Sequence, residues 1–273
     1  MKPILVATDF SVVSRNATVF AAHLAKTLQL KIILFHVYSI PTTVTDIAFM
    51  MVSAEEMQKE NEDRIKKDAD RIFTNFGVQV EWLVRIGIPS DEIKILADEK
   101  NADLVVMAIQ GEGASSKFIG STTLNTIQKI KKPVLVVPKA AMFDGISRAT
   151  YATDFSYSTN EERFSVLLEI IKAYHSQLQI LNIQKPDKKT GDNEPEGKAK
   201  LDEIFKNIPH ELSIVEAESI MHGINEFTQK NNTQLLAMTM HKHNFFERAF
   251  GKNYTKEVAY ETKIPLLVLH DNS

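Results

Sequence analysis

Two hydrophobic patterns alternate along the chain: short continuous apolar runs and stripes with helical spacing. Ile4–Thr8, Ile32–Val37 and Asp103–Ile109 are runs of strand length that are rich in β-branched residues. Between the first two runs lies a stripe with spacings of three and one, the pattern of one helix face, formed by Ala17, Phe20, Ala21, Leu24, Ala25 and Leu28. Continuous apolar strands that alternate with helices predict a parallel sheet covered on both faces.

The same alternation continues through the first half of the chain. It predicts helices over about Ala54–Phe76, from Pro89-Ser90 and near Thr122–Ile130, with strands at Val78–Val84 and Pro133–Val137. Further along, a second buried helical stripe is formed by Phe164, Leu167, Leu168 and Ile171. Lys185–Lys200 contains two Pro, two Gly and nine charged residues, a composition that predicts a mobile surface loop.

The chain contains an internal repeat of domain size. Ala7-Thr8-Asp9-Phe10-Ser11 recurs as Ala152-Thr153-Asp154-Phe155-Ser156, at an offset of 152 − 7 = 145 residues. Later landmarks recur in the same order, with Gly87 matched to Gly223 and the strand at Pro133 matched to the strand at Pro265. A repeat of this length predicts two α/β domains, residues 1–140 and 146–273, each with an open five-stranded parallel sheet and helices on both faces.

The two domains are expected to pack about a pseudo-twofold axis. A single continuous sheet, or halves that differ in topology, would count against this architecture. Beyond this intramolecular pairing, a homodimer and an unknown protein partner stay open.

Composition restricts the classes of function. The 273 residues include 32 Lys+Arg and 35 Asp+Glu, a net charge of −3, which gives no basic surface for nucleic acid or an anionic membrane. The absence of cysteine excludes disulfides and thiolate metal sites. Leu104–Ile109, among the longest apolar runs, is far shorter than a membrane helix. Asp9 interrupts the N-terminal apolar run, so no signal peptide is predicted and the expected location is cytoplasmic.

Three segments are expected at the carboxyl edge of the first sheet, where open parallel sheets bind ligands. They are Thr8-Asp9, His36-Val37 and the glycine-containing loop Ile109–Thr122. The loop ends in Gly120-Ser121 at a predicted helix start, where free N–H groups suit an anion. Glycine-rich turns between a strand and a helix are also common structural elements, so the loop alone leaves both interpretations open.

Several motifs, in this order, resemble those of the universal stress protein family: Ile4–Ser11, Leu34–Val37, Gly87–Pro89, Asp103–Met107, Gly120-Ser121 and Pro133–Val137. The resemblance covers both copies and implies two tandem Rossmann-like domains of the adenine nucleotide alpha hydrolase-like type. It implies as well that the two domains join through their last strands, Pro133–Val137 and Pro265–Leu269, a pairing that would protect two sheet edges that otherwise promote aggregation. It also implies that ATP binds between the loop and the aspartate after the first strand. The positions that would form this nucleotide site are Thr8, Asp9, Val37, Met107, Ala108, Gly111, Gly113, Gly120, Ser121 and Thr122.

The glycine pattern of the nucleotide loop is incomplete. Nucleotide-binding members of the family carry a Gly, two residues, a Gly, nine residues, then Gly-Ser or Gly-Thr after the fourth strand. In one register Ala108 takes the first glycine position, and eight residues instead of nine separate Gly111 from Gly120. The register that restores nine residues places Met107 and Gln110 at the two glycine positions. If that position requires φ > 0 or a bare backbone, alanine there costs roughly 1 kcal/mol. The second copy keeps only Gly251 and has Lys252 where a hydroxyl residue is expected. ATP is therefore expected in the first domain only.

Simpler interpretations stand beside these. An aspartate that ends a strand before a serine-capped helix is also a common turn device, which applies to Asp9 and more strongly to Asp154. His241 and His243, with His270 elsewhere, lack a third ligand at fixed spacing, so no metal is predicted.

No nucleophile with an adjacent base and no Walker lysine motif is present, so no catalytic residue and no enzyme activity are predicted. The favoured hypothesis is a stress-response or regulatory module that binds ATP in domain 1. The alternatives are a nucleotide-independent interaction scaffold and, third, a weak ATPase.

Overall fold

A computed structural model describes residues 2–39, 47–109, 121–155, 161–186, 194–240 and 264–270. For residues 47–53, 121 and 194 the description is limited to the backbone. The glycines of the nucleotide loop in the first copy, and Gly251 and Lys252 in the second, lie outside these ranges.

Strands and helices alternate in both halves. The first half consists of β1 (Ile4–Ala7), α1 (Val12–Leu28), β2 (Ile32–Tyr38), α2 (Ile47–Phe76), β3 (Val80–Ile86), α3 (Pro89–Glu99), β4 (Leu104–Ile109), α4 (Ser121–Lys129) and β5 (Val134–Pro138). The second half consists of β6 (Arg148–Ala152), a 3-10 turn (Glu161–Phe164), α5 (Ser165–Tyr174), β7 (Gln177–Gln184), α6 (Glu194–Phe205), β8 (His210–Glu216), α7 (Ile220–Lys230), β9 (Leu235–Met240) and β10 (Leu266–His270).

The ten strands form one sheet in the order β3-β2-β1-β4-β5-β10-β9-β6-β7-β8. Each half is a parallel five-stranded sheet with the same strand order, and β5 and β10 join them as an antiparallel pair, with Leu135 opposite Leu267. The sheet is continuous, and a continuous sheet was the result expected to count against two domains. The continuity arises at the predicted pairing of the last strands, and the two halves repeat one topology, so the predicted fold class is confirmed.

Two apolar cores cover the two faces of the sheet. Helices α1, α2, α5 and α6 pack on one face, with Leu24, Ile65, Phe164 and Phe205 buried there. Helices α3, α4 and α7 pack on the other face, with Ile93, Ile127 and Ile224 buried. Both faces of each central strand are therefore covered, which explains why the strands are apolar at consecutive positions.

The first helix begins at a serine cap and ends in a left-handed residue. Ser11 is the N-cap of α1, and its Oγ accepts a hydrogen bond from Ser14 N at 3.1 Å. Gln29 ends the helix in the left-handed conformation with φ 54°, and His175 ends α5 in the same way with φ 52°. The matching caps show that the repeat extends to the details of the backbone.

Two expectations about the second half are wrong. Helix α6 begins at Glu194, inside the segment predicted as a loop, because a proline in the first helical turn and a single glycine do not prevent a helix. The repeat partner of Gly87 is Ala217, since Gly87 N donates to Tyr38 O and Ala217 N donates to Gln184 O, each at 3.0 Å at the same step of the sheet. Gly223 lies inside α7 instead.

The domain boundaries at residues 140 and 146 stay a prediction.

Candidate functional site

The strand order reverses between β1 and β4, and this places the first candidate site. The two strands pair in parallel with Val6 opposite Val106, and continuing this register brings Thr8 beside Ala108. The chain leaves β1 toward β2 on one side and β4 toward β5 on the other, and in open parallel sheets ligands bind outside the carboxyl ends of two such strands. Thr8, Asp9, Met107 and Ala108 all lie at this end of the strands.

A tight turn after β1 fixes the backbone on both sides of Asp9. Thr8 N donates to Phe35 O at 2.9 Å, and Phe10 N donates to Thr8 Oγ1 at 3.1 Å. Phe10 has a φ of 63°, a left-handed conformation that costs a non-glycine residue about 1–2 kcal/mol. The Arg64 guanidinium lies 4.8 Å from the centre of the Phe10 ring, so packing from α2 helps to hold the strained residue.

The Asp9 carboxylate is exposed and oriented. Burial of the group raises its pKa, but hydrogen bonds from the side chains of Ser11 and Ser14 and from the Ser11 backbone lower it more, so the pKa of Asp9 lies below its ordinary value. Ser11 N donates to Asp9 Oδ1 at 3.0 Å. Asp9 is therefore charged at neutral pH and offers acceptor oxygens to a ligand.

His36 supports the turn from the neighbouring strand. Its Nδ1 lies 2.8 Å from Thr8 O, a distance that makes Nδ1 the protonated nitrogen because a carbonyl oxygen only accepts. Burial lowers the pKa of His36 despite opposing contributions from this bond and from Asp9, so the ring is neutral at neutral pH. Sequence reasoning placed His36 at the sheet edge but did not predict this role.

The other predicted residues divide into two groups. Met107 is buried on β4, and Ala108 O accepts a hydrogen bond from Thr123 Oγ1 at 3.1 Å, which ties the end of β4 to the first turn of α4. Helix α4 begins at Ser121, and Thr122 is exposed there. Val37 packs in the apolar core two strands away from β4. Gly111, Gly113 and Gly120 lie outside the described residues.

The structure shows whether position 108 needs the backbone conformation of a glycine. It has an ordinary strand conformation and pairs with Val137 in β5, and it is not one of the residues with positive φ. The φ > 0 explanation for a glycine at this position therefore does not apply. Only the Cβ atom itself, placed where a ligand would contact the backbone, remains as an obstacle.

The second half repeats the turn with different side chains. Phe155 N donates to Thr153 Oγ1 at 3.1 Å, Phe155 has a φ of 58°, and Asn182 Nδ2 donates to Thr153 O at 2.8 Å, as His36 does in the first half. Strand register makes Thr239 the counterpart of Ala108. Its Oγ1 lies 2.9 Å from the hydroxyl of Tyr151, whose pKa burial raises. A buried, branched side chain thus stands where the family pattern has glycine.

Among the described side chains, no group of three or more His, Cys, Asp or Glu could hold a metal ion, and His241 and His243 lie outside the described ranges. In the part of the chain that the structure describes, no helix combines the length and apolar character needed to cross a membrane.

Comparison with known proteins identifies the family. The model of the Universal stress protein family matches residues 1–138, just over half of the 273 residues, and the chain belongs to this family. A universal stress protein of Methanocaldococcus jannaschii is 30% identical over 157 residues, which cover 50% of this chain and 95% of that protein.

Similar solved structures extend over the whole chain. The crystal structure of a universal stress protein from Archaeoglobus fulgidus covers 97% of both chains, with a TM-score of 0.74 at 18% identity. This match shows the fold, with two tandem domains. A universal stress protein solved in complex with cAMP covers 50% of this chain and 96% of its own at 25% identity, with a TM-score of 0.36, which is too low to support an inference about this chain.

At the edge between β1 and β4, the described residues of the first half combine two features with opposite charge preferences. The charged carboxylate of Asp9 accepts hydrogen bonds only, so it suits the hydroxyl groups of a ribose and repels phosphate. The N-terminus of α4, with the exposed Thr122 hydroxyl, is the complementary anion-binding feature. The Cβ atom of Ala108 is unfavourable for binding, because it lies where a ligand would contact the backbone.

Proposed function

We propose that this protein is a universal stress protein whose first half binds ATP as a regulatory ligand, without turnover, and whose second half does not bind nucleotide. The observation that carries the proposal is the placement of the oriented, charged Asp9 across the switch point from the N-terminus of α4. The two features have opposite electrostatic preferences, as the ribose and the phosphates of a nucleotide require.

The second half supports a purely structural role for its own turn. Thr239 replaces the glycine of the family pattern and is occupied by its hydrogen bond with Tyr151. Asp154 lies within a turn in which Phe155 N donates to Thr153 Oγ1. The turn is shared with the first half, so the difference between the halves rests on Thr239 and not on Asp154.

Isothermal titration with ATP tests the proposal on the full chain. We expect binding by the wild-type protein, a loss of about tenfold or more in affinity for Asp9→Asn, which keeps the shape and removes the charge, and no change for Asp154→Asn. If millimolar ATP produced no heat of binding and no thermal shift, the function that remained would be the nucleotide-independent scaffold.

Two further measurements separate the alternatives. Mass analysis of nucleotide that co-purifies with the native protein identifies the ligand without assuming ATP. Phosphate release above background that is lost in Asp9→Ala would identify the protein as a weak ATPase and contradict the proposed absence of turnover.

A further inference from the structure

The outer edge of β8 is the feature that the proposed function leaves unexplained. β8 ends the sheet, and among the described residues no strand pairs with its outer side. Leu178 N donates to Pro209 O at 3.1 Å and Ala217 N donates to Gln184 O at 3.0 Å, so the odd-numbered residues direct their backbone groups toward β7. In a parallel strand the alternate residues face the other way. The backbone groups of His210, Leu212, Ile214 and Glu216 therefore form the free edge.

The side chains along this edge are also unusually exposed. Leu212 is 42% exposed and Ile214 is 45% exposed. Their counterparts by register on the other end strand, β3, are Trp82 and Val84, which pack partly buried against the core.

The difference follows from chain length. The connection from β2 to β3 spans residues 39–79, or 79 − 38 = 41 residues, and includes the 30-residue helix α2. The connection from β7 to β8 spans residues 185–209, or 209 − 184 = 25 residues, with a 12-residue helix. The second half has less chain with which to cover the same face.

We propose that a second copy of this chain pairs with β8 through its own β8, antiparallel, with the two Ser213 residues opposite each other. In this register Leu212 pairs with Ile214 twice and His210 pairs with Glu216 twice, so apolar residues meet apolar residues and the basic side chain meets the acidic one. All four pairs use residues whose backbone groups face outward, so each can exchange two hydrogen bonds. The strand is its own complement, as a twofold dimer requires.

Neighbouring registers do not share this match. A shift of two residues in one direction pairs Leu212 with itself but sets His210 against Ile214. A shift in the other direction pairs Ile214 with itself but sets Leu212 against Glu216. His210 Nε2 also lies 3.3 Å from Asp202 Oδ1, an exposed contact that does not occupy the strand edge.

The remaining edges of the sheet are less available. β5 and β10 pair with each other inside the molecule. On β3, charged side chains are paired with neighbouring residues: Arg85 Nη2 lies 2.6 Å from Glu99 Oε2, and Glu81 contacts Lys100. β3 has one strongly exposed apolar side chain, Ile86, at its end. Among the described edge strands, β8 is the one with two exposed apolar side chains at alternate positions in a self-complementary sequence.

A single introduced thiol tests the register directly, because the chain has no cysteine. Opposite residues in a pair without hydrogen bonds have Cα atoms about 4.5 Å apart, within the range for a disulfide. Ser213→Cys is therefore expected to form a disulfide-linked dimer in a glutathione redox buffer. Glu211→Cys is the control on the same strand, since the two Glu211 residues would lie about 13 Å apart along the pair.

Sedimentation equilibrium of the full chain tests the association itself. We expect a reversible dimer for the wild type. The double substitution Leu212→Lys with Ile214→Lys is expected to raise the dissociation constant about tenfold or more, because it sets lysines opposite each other. Ile95→Lys is the matched control, since Ile95 is 43% exposed on α3. A wild-type monomer at millimolar concentration, a dimer that survives the double substitution, or equal cross-linking of the two cysteine variants would each overturn the proposal.

Discussion

Gly197 in α6 packs closely against Phe155, in the turn that carries Asp154. Replacement of Gly197 by alanine tests that packing. An added Cβ at this position would lie 2.2 Å from the backbone oxygen of Phe155 and 3.0 Å from its carbonyl carbon. Gly197 lies inside α6 with no positive φ. Its role is therefore steric and not conformational.

The expected magnitude is the balance of two effects. In a helix interior alanine is favoured over glycine by about 0.5–1 kcal/mol, so an unhindered Gly197→Ala would stabilise the protein. Ordinary contacts begin at 3.4 Å, so relief of the overlap requires a movement of 3.4 − 2.2 = 1.2 Å by backbone atoms on one side or the other. Overpacking of this kind costs typically 1–3 kcal/mol, and after subtraction of the helix gain we expect a net loss of about 1 kcal/mol.

Urea unfolding of the full chain, followed by circular dichroism, measures this loss as a lower midpoint. Gly223→Ala is the milder substitution within a helix. Its added Cβ meets Ile183 Cδ1 at 2.8 Å, which can rotate away, and Ala217 Cβ at 2.9 Å, which is fixed to the backbone but overlaps less than Phe155 O does at Gly197. If Gly197→Ala proved as stable as the wild type, α6 would not press on the Phe155 turn and the argument for this glycine would fail.

Three further predictions concern the first half and the contact between the halves. His36→Leu leaves Thr8 O without its donor and should lower the free energy of unfolding by about 1–3 kcal/mol, whereas His36→Asn should retain most of it; equal losses in denaturant titrations would contradict the hydrogen-bond role. Burial lowers the pKa of His270 below 6.5, so only the unfolded chain binds that proton readily, and the free energy of unfolding should fall as pH drops through 6.5. His270→Gln should weaken this fall, with His23 and His36 supplying the remainder, and an unchanged profile would refute the assignment. Ala108→Gly should tighten ATP binding by up to about tenfold; titration showing unchanged affinity would mean that the Cβ is not an obstacle.

The fold could be predicted because two independent patterns agree. Apolar runs define the strands, and the repeated Ala-Thr-Asp-Phe-Ser segment shows that the strand order occurs twice. The pairing of β5 with β10 was implied by the family resemblance, and the need to protect sheet edges agreed with it. Helix α6 was missed because local composition does not report tertiary contacts: the stripe formed by Leu201 and Phe205 is short, and the surrounding charges resemble those of a loop.

The candidate site was predicted in its positions more than in its interactions. Asp9 was identified from the strand end and the family resemblance. The hydrogen bond from His36 to Thr8 O was not predicted, because the hydrophobic pattern does not show which backbone oxygen accepts from a side chain. A signal does exist in hindsight: His36 and Asn182 are polar residues at matched places in two otherwise apolar runs. The strained φ of Phe10 could not be predicted, since phenylalanine rarely adopts that conformation.

Joining β5 to β10 within one polypeptide has a consequence for how the protein can be altered. In an assembly of two identical subunits, any codon change is made at two symmetry-related places at once. Here a change in one copy leaves the other untouched, so Ala108 and Thr239 can differ at equivalent positions while the shared junction is kept. The fused arrangement therefore permits a division of labour, one copy specialised for a ligand and the other for contacts with neighbours.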